Sequence, residues 1–205
     1  MNHSSANSVI IFDFETTGLS PNQGDRAIEI GAVKLLNGVV VDTFQELMNP
    51  GFNVSSFIEN YTGISNAMLY SAPSCAEVMN RFADFIGDDN LVAHNASFDK
   101  RFLEAEFALI NRKYKGQFAC SMLIARRLYQ EAPNHKLGGL VEFKQIENDG
   151  TFHRALADSE MTAKLWLKML EDMHDSYSIA DPSFKLMQQI SQKTKSGVKD
   201  FLDSL

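Results

Sequence analysis

The stretch VIIFDFETTG, at residues 9–18, restricts the possible folds of this chain more than any other segment. Its first half is β-branched and aromatic, without glycine or proline, which is typical of a buried strand. Two carboxylates, Asp13 and Glu15, follow at once, with Phe14 between them. Because side chains two residues apart in a strand share a face, we expect the two acids to point one way and Phe14 the other.

Two acids at the end of a buried strand need compensation. Two unit charges about 5 Å apart repel by roughly 3 kcal/mol at an effective dielectric constant near 20, and desolvation adds to this cost. Divalent cations offset both costs, because carboxylate oxygens suit Mg²⁺ and Mn²⁺. The alternative is a polar strand end that enters a turn at Thr16, Thr17 and Gly18. The Asp-x-Glu pattern alone does not decide between a metal site and a turn.

The remaining apolar pattern predicts an α/β fold. Two more strands, at 26–36 and 38–48, flank an Asn-Gly hairpin signal. From Ser74 the apolar spacing becomes helical, interrupted by one short strand at 90–95. The predicted helices lie at 74–87, 97–113, 120–130, 136–144 and 155–173, with Ser74 and Ser97 as N-caps of the first two. Three antiparallel strands followed by alternating helices and parallel strands favour a mixed central sheet flanked by helices.

The length of 205 residues suits one domain with a short extension. We expect a flexible N-terminus at 1–7, the main domain at 8–175 and a helical extension at 176–205, with a break at Asp181-Pro182. Apolar residues of the extension recur at helical spacing. Such a stripe usually packs on its own domain, which we favour; the alternative is a docking segment for a partner protein.

Charge and targeting signals narrow the location and the class of partner. The net charge of −7 argues against a protein that coats a nucleic-acid backbone, but not against an enzyme that holds a strand end through metal ions. No apolar run approaches the length of a membrane span, and the polar start MNHSSANS lacks the pattern of a secretion signal. Cys75 and Cys120 suggest neither a metal site nor a disulfide framework. We therefore expect a cytoplasmic protein without membrane contact.

Two further stretches place acids beside apolar structure. In LVAHNASFDKRFL, Asp99 lies in the first turn of a predicted helix, where it could also serve only to complement the helix dipole. In FHRALADSEMTAKLW, Asp158 lies in an apolar helix start, and His153 precedes it by five residues. A histidine before a helix is more often structural than catalytic, whereas an unpaired acid on the apolar side of a helix is rare.

At these residues the chain resembles a known family. DFETTGL, HNASFD and HRALAD are similar to the three motifs of the DEDD exonucleases, in the subgroup with a histidine in the third motif. The likeness is greatest to proofreading members, such as the epsilon subunit of bacterial DNA polymerase III. It covers roughly residues 8–170 and includes IEIGAVKL, YTGISNAML, CSMLIARRL and HKLGGL. Arg154 stands where the sister subgroup has tyrosine, and Tyr61 departs from many relatives outside the motifs.

The resemblance implies a ribonuclease H-like fold and a set of site residues. It assigns four carboxylates to two Mg²⁺ or Mn²⁺ ions, and these are Asp13, Glu15, Asp99 and Asp158. It assigns the role of general base to His153. Weaker candidates for contact with the substrate lie near the first two motifs, and these are Thr16, Thr17, Leu19, His94, Asn95 and Phe98.

The implied activity is 3′-to-5′ hydrolysis of single-stranded DNA with release of 5′-mononucleotides, which suggests proofreading. The alternative is a 3′-to-5′ RNA-trimming enzyme. DNA and RNA differ in the 2′-hydroxyl, and no residue in the sequence indicates a contact to that group. Two rival classes are a catalytically silent nucleic-acid-binding subunit and a metal-dependent phosphatase of small nucleotides. The expected partners are the 3′ end of DNA or RNA, a DNA polymerase subunit and a second copy in a homodimer, and the sequence does not choose among them.

Overall fold

The computed structural model describes residues 5–147 and 154–205. Its centre is a five-stranded sheet in the order β3-β2-β1-β4-β5. The strands are β1 (Val9–Thr16), β2 (Ala27–Leu36), β3 (Val39–Leu47), β4 (Leu91–Ala93) and β5 (Phe118–Cys120). The β1–β2 and β2–β3 pairs are antiparallel, whereas β1–β4 and β4–β5 are parallel. The predicted mixed sheet is confirmed.

Helices cover both faces of this sheet. They are α1 (Ser56–Thr62), α2 (Asn66–Ser71), α3 (Cys75–Ile86), α4 (Ser97–Leu109), α5 (Ser121–Leu128), α6 (Leu137–Phe143), α7 (Ala155–Tyr177), α8 (Phe184–Gln192) and α9 (Val198–Asp203). Ser74 caps α3 in a reciprocal capping box with Glu77, as its position predicts. The expectation that Ser97 caps α4 is wrong, because the helix already begins at Ser97 and Ala96 precedes it without a side-chain cap.

The alternation of β1 supplies two separate cores. Val9 and Ile11 face a core that includes Trp166 of α7. Ile10, Phe12 and Phe14 face the opposite core, built with α3 and α4. Asp13 and Glu15 continue the series of Val9 and Ile11, so the strand pleat directs both acids toward α7.

A close backbone approach fixes α7 on β2. A Cβ atom at Gly31 would lie 2.1 Å from the amide nitrogen of Leu156, so a larger residue would push the helix away. Ser159 Oγ donates to the carbonyl oxygen of Gly31 at 2.9 Å. Since Gly31 is the cross-strand partner of Asp13, this contact brings the first turns of α7 next to the acidic end of β1.

The described N-terminal residues are anchored to the C-terminal helices. Ala6 N donates to Pro182 O at 2.9 Å, and the buried Trp166 Nε1 donates to Ala6 O at 2.8 Å. The apolar stripe of α8 joins the same core as Trp166, so this helix packs on its own domain. The sequence analysis expected residues 1–7 to be flexible and did not predict these contacts of residues 5–7. The domain boundaries stay predictions.

None of the helices within residues 5–147 and 154–205 combines the length and the apolar character needed to cross a membrane.

Candidate active site

Three acids from two distant parts of the chain meet at the end of β1. Asp13 and Glu15 point toward the start of α7, where Asp158 lies in the first turns. One carboxylate oxygen from each of the three lies within 4.8 Å of the others. The convergence that the sequence predicts for these three residues is therefore present in the fold.

Asp99 approaches the same strand from α4. It is buried, and its Oδ1 accepts a hydrogen bond from the backbone nitrogen of Phe14 at 3.2 Å. Phe14 separates Asp13 from Glu15, so this bond fixes Asp99 against the acidic segment of β1. After burial, the negative charge of Asp99 is the largest cause of the raised pKa of Asp13.

Burial and mutual repulsion make the cluster strongly electronegative. Burial, followed by the charges of Asp99, Glu15 and Asp158, raises the pKa of Asp13 well above its ordinary value. Burial and then the charge of Asp158 raise the pKa of Glu15 to about 8. Burial raises the pKa of Asp99 to about 7. In each case burial is the largest cause, and it outweighs the charge of Arg154 near Glu15 and the backbone hydrogen bonds to Asp99.

The donor set fits a hard divalent cation. All the converging ligands are carboxylate oxygens, the type that Mg²⁺ and Mn²⁺ prefer, and no thiol or described imidazole joins them. A bound cation would stabilise the ionised carboxylates and so lower their raised pKa values.

The predicted general base, His153, lies outside the described residues. The residue after it, Arg154, directly precedes α7 and does not project freely toward solvent. Its Nη2 donates to Glu29 at 2.8 Å, and Glu29 is the cross-strand partner of Glu15. The guanidinium of Arg154 is therefore held by an ion pair with Glu29 inside the protein.

The loop after β1 carries three of the substrate candidates. Thr16 Oγ1 donates to Gly18 O at 2.7 Å. Thr17 Oγ1 donates to Asp25 and accepts from Arg26 N, so both hydroxyls stabilise the loop itself. Leu19 is 74% exposed and is the member of this loop that offers an open apolar surface.

The other substrate candidates follow β4. Both ring nitrogens of His94 are bonded, to Ser121 Oγ and to His135 O, each at 2.9 Å. Burial lowers the pKa of His94 to about 4, so the ring is neutral at pH 7. Asn95 is exposed and adopts a left-handed conformation with φ of 71°. Phe98 is partly buried and packs on Phe102, with 5.0 Å between the ring centroids. A substrate role for these residues stays a prediction.

An exposed aromatic pair beside the acids was missed by the sequence analysis. Phe57 and Tyr61, one turn apart on α1, stack with ring centroids 5.9 Å apart and planes 10° apart. They are 71% and 51% exposed. Burial, then the charges of Glu15 and Asp158, raise the pKa of Tyr61, so its hydroxyl lies within the electrostatic reach of the acidic cluster. The signal available was two aromatic residues at i and i+4 in a segment with a Ser55 cap and a terminal Gly63.

Comparisons with known proteins agree with this geometry. Residues 10–166 match the RNase T exonuclease family. The chain is 40% identical over 166 residues to the PolC-type DNA polymerase III of Caldanaerobacter subterraneus subsp. tengcongensis, and 43% identical over 165 residues to that of Bacillus subtilis. These alignments cover 81% and 80% of this chain but only 12% and 11% of the relatives, so the chain spans about an eighth of their length.

A solved structure extends the likeness to three dimensions. Exonuclease X, in complex with 5′ overhanging duplex DNA, superposes with a TM-score of 0.70 at 28% sequence identity. The superposition covers 89% of this chain and 99% of that one. The fold is thus the ribonuclease H-like fold that the resemblance implies. The chain belongs to the RNase T exonuclease family and, within it, to the DEDDh 3′-to-5′ exonucleases.

Proposed function

We propose that this protein shortens single-stranded DNA from its 3′ end and releases 5′-mononucleotides by metal-dependent hydrolysis of the phosphodiester bond. The observation that carries the proposal is the convergence of Asp13, Glu15 and Asp158, whose ligand oxygens lie within 4.8 Å of one another. An acidic cluster by itself would repel a phosphate, so these carboxylates would need a bound cation before a phosphate could approach them.

Asp13, Glu15, Asp99 and Asp158 would hold two Mg²⁺ or Mn²⁺ ions. When bound, such a pair supplies Lewis-acid stabilisation of the negative charge that develops at the scissile phosphate. The protein fixes the carboxylates in advance: Phe14 N holds Asp99, and the docking of α7 on β2 holds Asp158. This arrangement limits the reorganisation needed during the reaction.

His153 is the proposed general base. An imidazole titrates near pH 6.5 and is largely neutral at pH 7, so it can accept a proton from the attacking water. His153 immediately precedes Arg154, whose side chain is fixed by Glu29. Its support is the third motif of the resemblance, in which His153 stands five positions before Asp158.

The proposal of a single strand rests on the exposed ring pair. Unpaired bases stack on exposed aromatic side chains, and this contact is tolerant of sequence. Phe57 and Tyr61 present such a surface close to the acids, whereas paired bases in a duplex have their faces covered by neighbours. We therefore propose that bases upstream of the scissile phosphate stack on Phe57 and Tyr61.

Proofreading in association with a DNA polymerase is the proposed biological context. Its support is the similarity to PolC-type DNA polymerase III, of which this chain spans about an eighth. The cytoplasmic location and a homodimer remain predictions beside it. An RNA-trimming enzyme would differ only in the sugar of its substrate, so the test must include both nucleic acids.

The test is digestion of matched DNA and RNA strands labelled at either the 3′ or the 5′ end, with Mg²⁺ and with chelator. We expect 5′-labelled DNA to shorten one nucleotide at a time, and 3′-labelled DNA to release its label at once as a mononucleotide. Chelator should stop both. Asp13→Ala should abolish the reaction, and Asp203→Ala, which removes an exposed acid from α9, should not change it.

Different outcomes would redirect the proposal. Faster shortening of RNA than of DNA would favour the RNA-trimming enzyme. Strand binding without release would favour a silent binding subunit, and phosphate release from free nucleotides alone would favour a phosphatase. Full activity of Asp13→Ala would contradict the site assignment.

A further inference from the structure

Glu29 is a fully buried carboxylate on β2 that the proposed metal chemistry does not use. Arg154 Nε and Nη2 donate to it at 3.1 and 2.8 Å, Ala155 N at 3.1 Å and Gln45 Nε2 at 3.0 Å. This bonding compensates the desolvation of the charge. Buried ion pairs are nevertheless often replaceable by apolar residues without loss of stability, so stability alone does not explain Glu29.

The position of Glu29 in the sheet suggests another role. In the β1–β2 ladder, Glu29 is the partner of Glu15, and Gly31 is the partner of Asp13. The same two positions of β2 receive α7: Glu29 accepts from Ala155 N, and Gly31 allows the close backbone approach. Strand β2 therefore sets the distance between the acids of β1 and the beginning of α7.

Arg154 links this contact to the third acid. It directly precedes α7, and its carbonyl oxygen accepts the backbone amide of Asp158 at 3.0 Å. Its own side chain makes no cap bond to the helix, and the first amide, Ala155 N, is capped by Glu29 from the neighbouring strand instead. The guanidinium and the carboxylate thus fix both the entry of the chain into α7 and the orientation of its first turn.

We propose that Glu29 and Arg154 are positioning residues for the metal site, which hold the start of α7 so that Asp158 meets Asp13 and Glu15. This inference rests on the proposed function. Glu29 and Arg154 act through the backbone of α7 and are not assigned any contact with the cation or the substrate. Partners behind the ligands commonly change metal affinity about tenfold to a hundredfold when they are removed.

Because Glu29 and Arg154 carry opposite charges, their substitutions distinguish a positioning role from a direct electrostatic effect on cation binding. Removal of the Glu29 charge makes the site less negative and, by Coulomb attraction alone, would weaken cation binding. Removal of the Arg154 charge makes the site more negative and would strengthen it by the same reasoning. A positioning role predicts that both substitutions weaken binding, because either one releases the start of α7.

The experiment is calorimetric titration of the full chain with Mn²⁺, alongside measurement of unfolding by denaturant. We expect Glu29→Gln and Arg154→Ala each to raise the dissociation constant by about tenfold or more. The double variant should bind Mn²⁺ no more weakly than the more affected single variant, because the same Glu29–Arg154 ion pair is lost in every case. Arg154→Lys, which keeps the charge without the planar fork, should recover part of the affinity.

Asp172→Asn is the matched control. Asp172 lies on α7 several turns from the site, accepts from the Tyr129 hydroxyl at 2.6 Å and pairs with Lys144 at 2.7 Å. Its substitution should lower stability and leave Mn²⁺ affinity unchanged. A structural role without positioning would make the Arg154 variants behave like this control.

Three results would overturn the inference. Tighter Mn²⁺ binding by Arg154→Ala would show a purely electrostatic pair, and unchanged binding would show a purely structural one. If Glu29→Gln does not fold, the Arg154→Ala and Arg154→Lys variants still distinguish these outcomes. The Arg154 side chain lies partly at the surface, so its replacement is better tolerated by the fold. If the unaltered protein binds no Mn²⁺, the proposed metal site fails first, and the positioning role fails with it.

Discussion

At the scale of single residues, the acids at the end of β1 show how a destabilising group can be functional. Burial and neighbouring charges raise the pKa values of Asp13 and Glu15, so ionisation at this site opposes folding. An apolar pair would relieve that strain but would offer no ligand. The electrostatic cost is therefore best explained by a cation that removes it.

The free energy of unfolding should depend on pH because of this electrostatic cost, when chelator keeps the protein free of metal. The pKa of Glu15 is about 8 in the folded state against 4.5 as its ordinary value. The folded state therefore holds a proton that the unfolded state has lost, so this contribution is complete below the ordinary pKa and is lost as pH rises to about 8. The slope is about 1.4 kcal/mol per pH unit for one such group.

Unfolding by urea at a series of pH values measures the effect. Compared with the unaltered protein, Glu15→Gln should have a flatter profile and the higher stability near pH 8, and added Mg²⁺ should restore the unaltered protein. Equal slopes for the two proteins in chelator would contradict the assignment of the raised pKa to Glu15.

The proton-transfer residue should be less critical than a metal ligand. We expect His153→Ala to reduce turnover by about 10²–10⁴-fold, the usual contribution of a general base. Asp13→Ala should reduce it further, because the cation site itself is damaged. Single-turnover digestion of a labelled strand measures both. A larger loss for His153→Ala than for Asp13→Ala would reverse the roles assigned here.

At the scale of elements, α7 and α1 carry residues of the proposed site. Helix α7 delivers Asp158 through its close contact with Gly31. Helix α1 contributes Ile58 to a small apolar cluster that includes Ile28 of β2, and it leaves Phe57 and Tyr61 exposed. The buried side of each helix fixes its position, and the other side is left available for function.

Gly31→Ala should displace α7. Its Cβ would lie 2.1 Å from Leu156 N, a backbone atom that cannot rotate away. We expect a loss of about 1–3 kcal/mol or more in the free energy of unfolding, as for other overpacked sites, together with weaker Mn²⁺ binding. Gly197→Ala is the control, because its nearest contact is the flexible Thr194 side chain at 3.0 Å. Similar stability of the two variants in denaturant would refute the close-packing account.

Loss of the ring pair should weaken substrate binding. Phe57→Ala and Tyr61→Ala should each raise KM for an oligonucleotide by an amount equivalent to about 1–3 kcal/mol, with a smaller change in kcat. Tyr70→Ala on α2, which removes a ring that is 86% exposed, is the matched control and should behave normally. Steady-state kinetics on strands of increasing length measure the effect, and an equal response from the Tyr70 variant would exclude a specific stacking role.

At the scale of the whole molecule, the sequence predicts the sheet and the acids because their signals are local. Within ten residues, strand β1 contains both the apolar run that indicates burial and the two acids. Asp158 is likewise recognisable as an acid in an apolar helix start. The short elements α1, α2 and β5 were not predicted, whereas β4, which is as short as β5, was recognised from its continuous apolar run. The pairing of Glu29 with Arg154 joins residues far apart in the chain, which only the folded arrangement reveals.

The most direct test of the central claim is the anomalous scattering of Mn²⁺ in crystals of this protein. The claim is that carboxylates from β1, α4 and α7 converge to hold divalent cations. We predict anomalous peaks coordinated by oxygens of Asp13, Glu15 and Asp158, with Asp99 contributing from α4. Crystals of Asp13→Ala should lose or weaken those peaks. Crystals of the unaltered protein in Mn²⁺ with no peak at these oxygens would contradict the account.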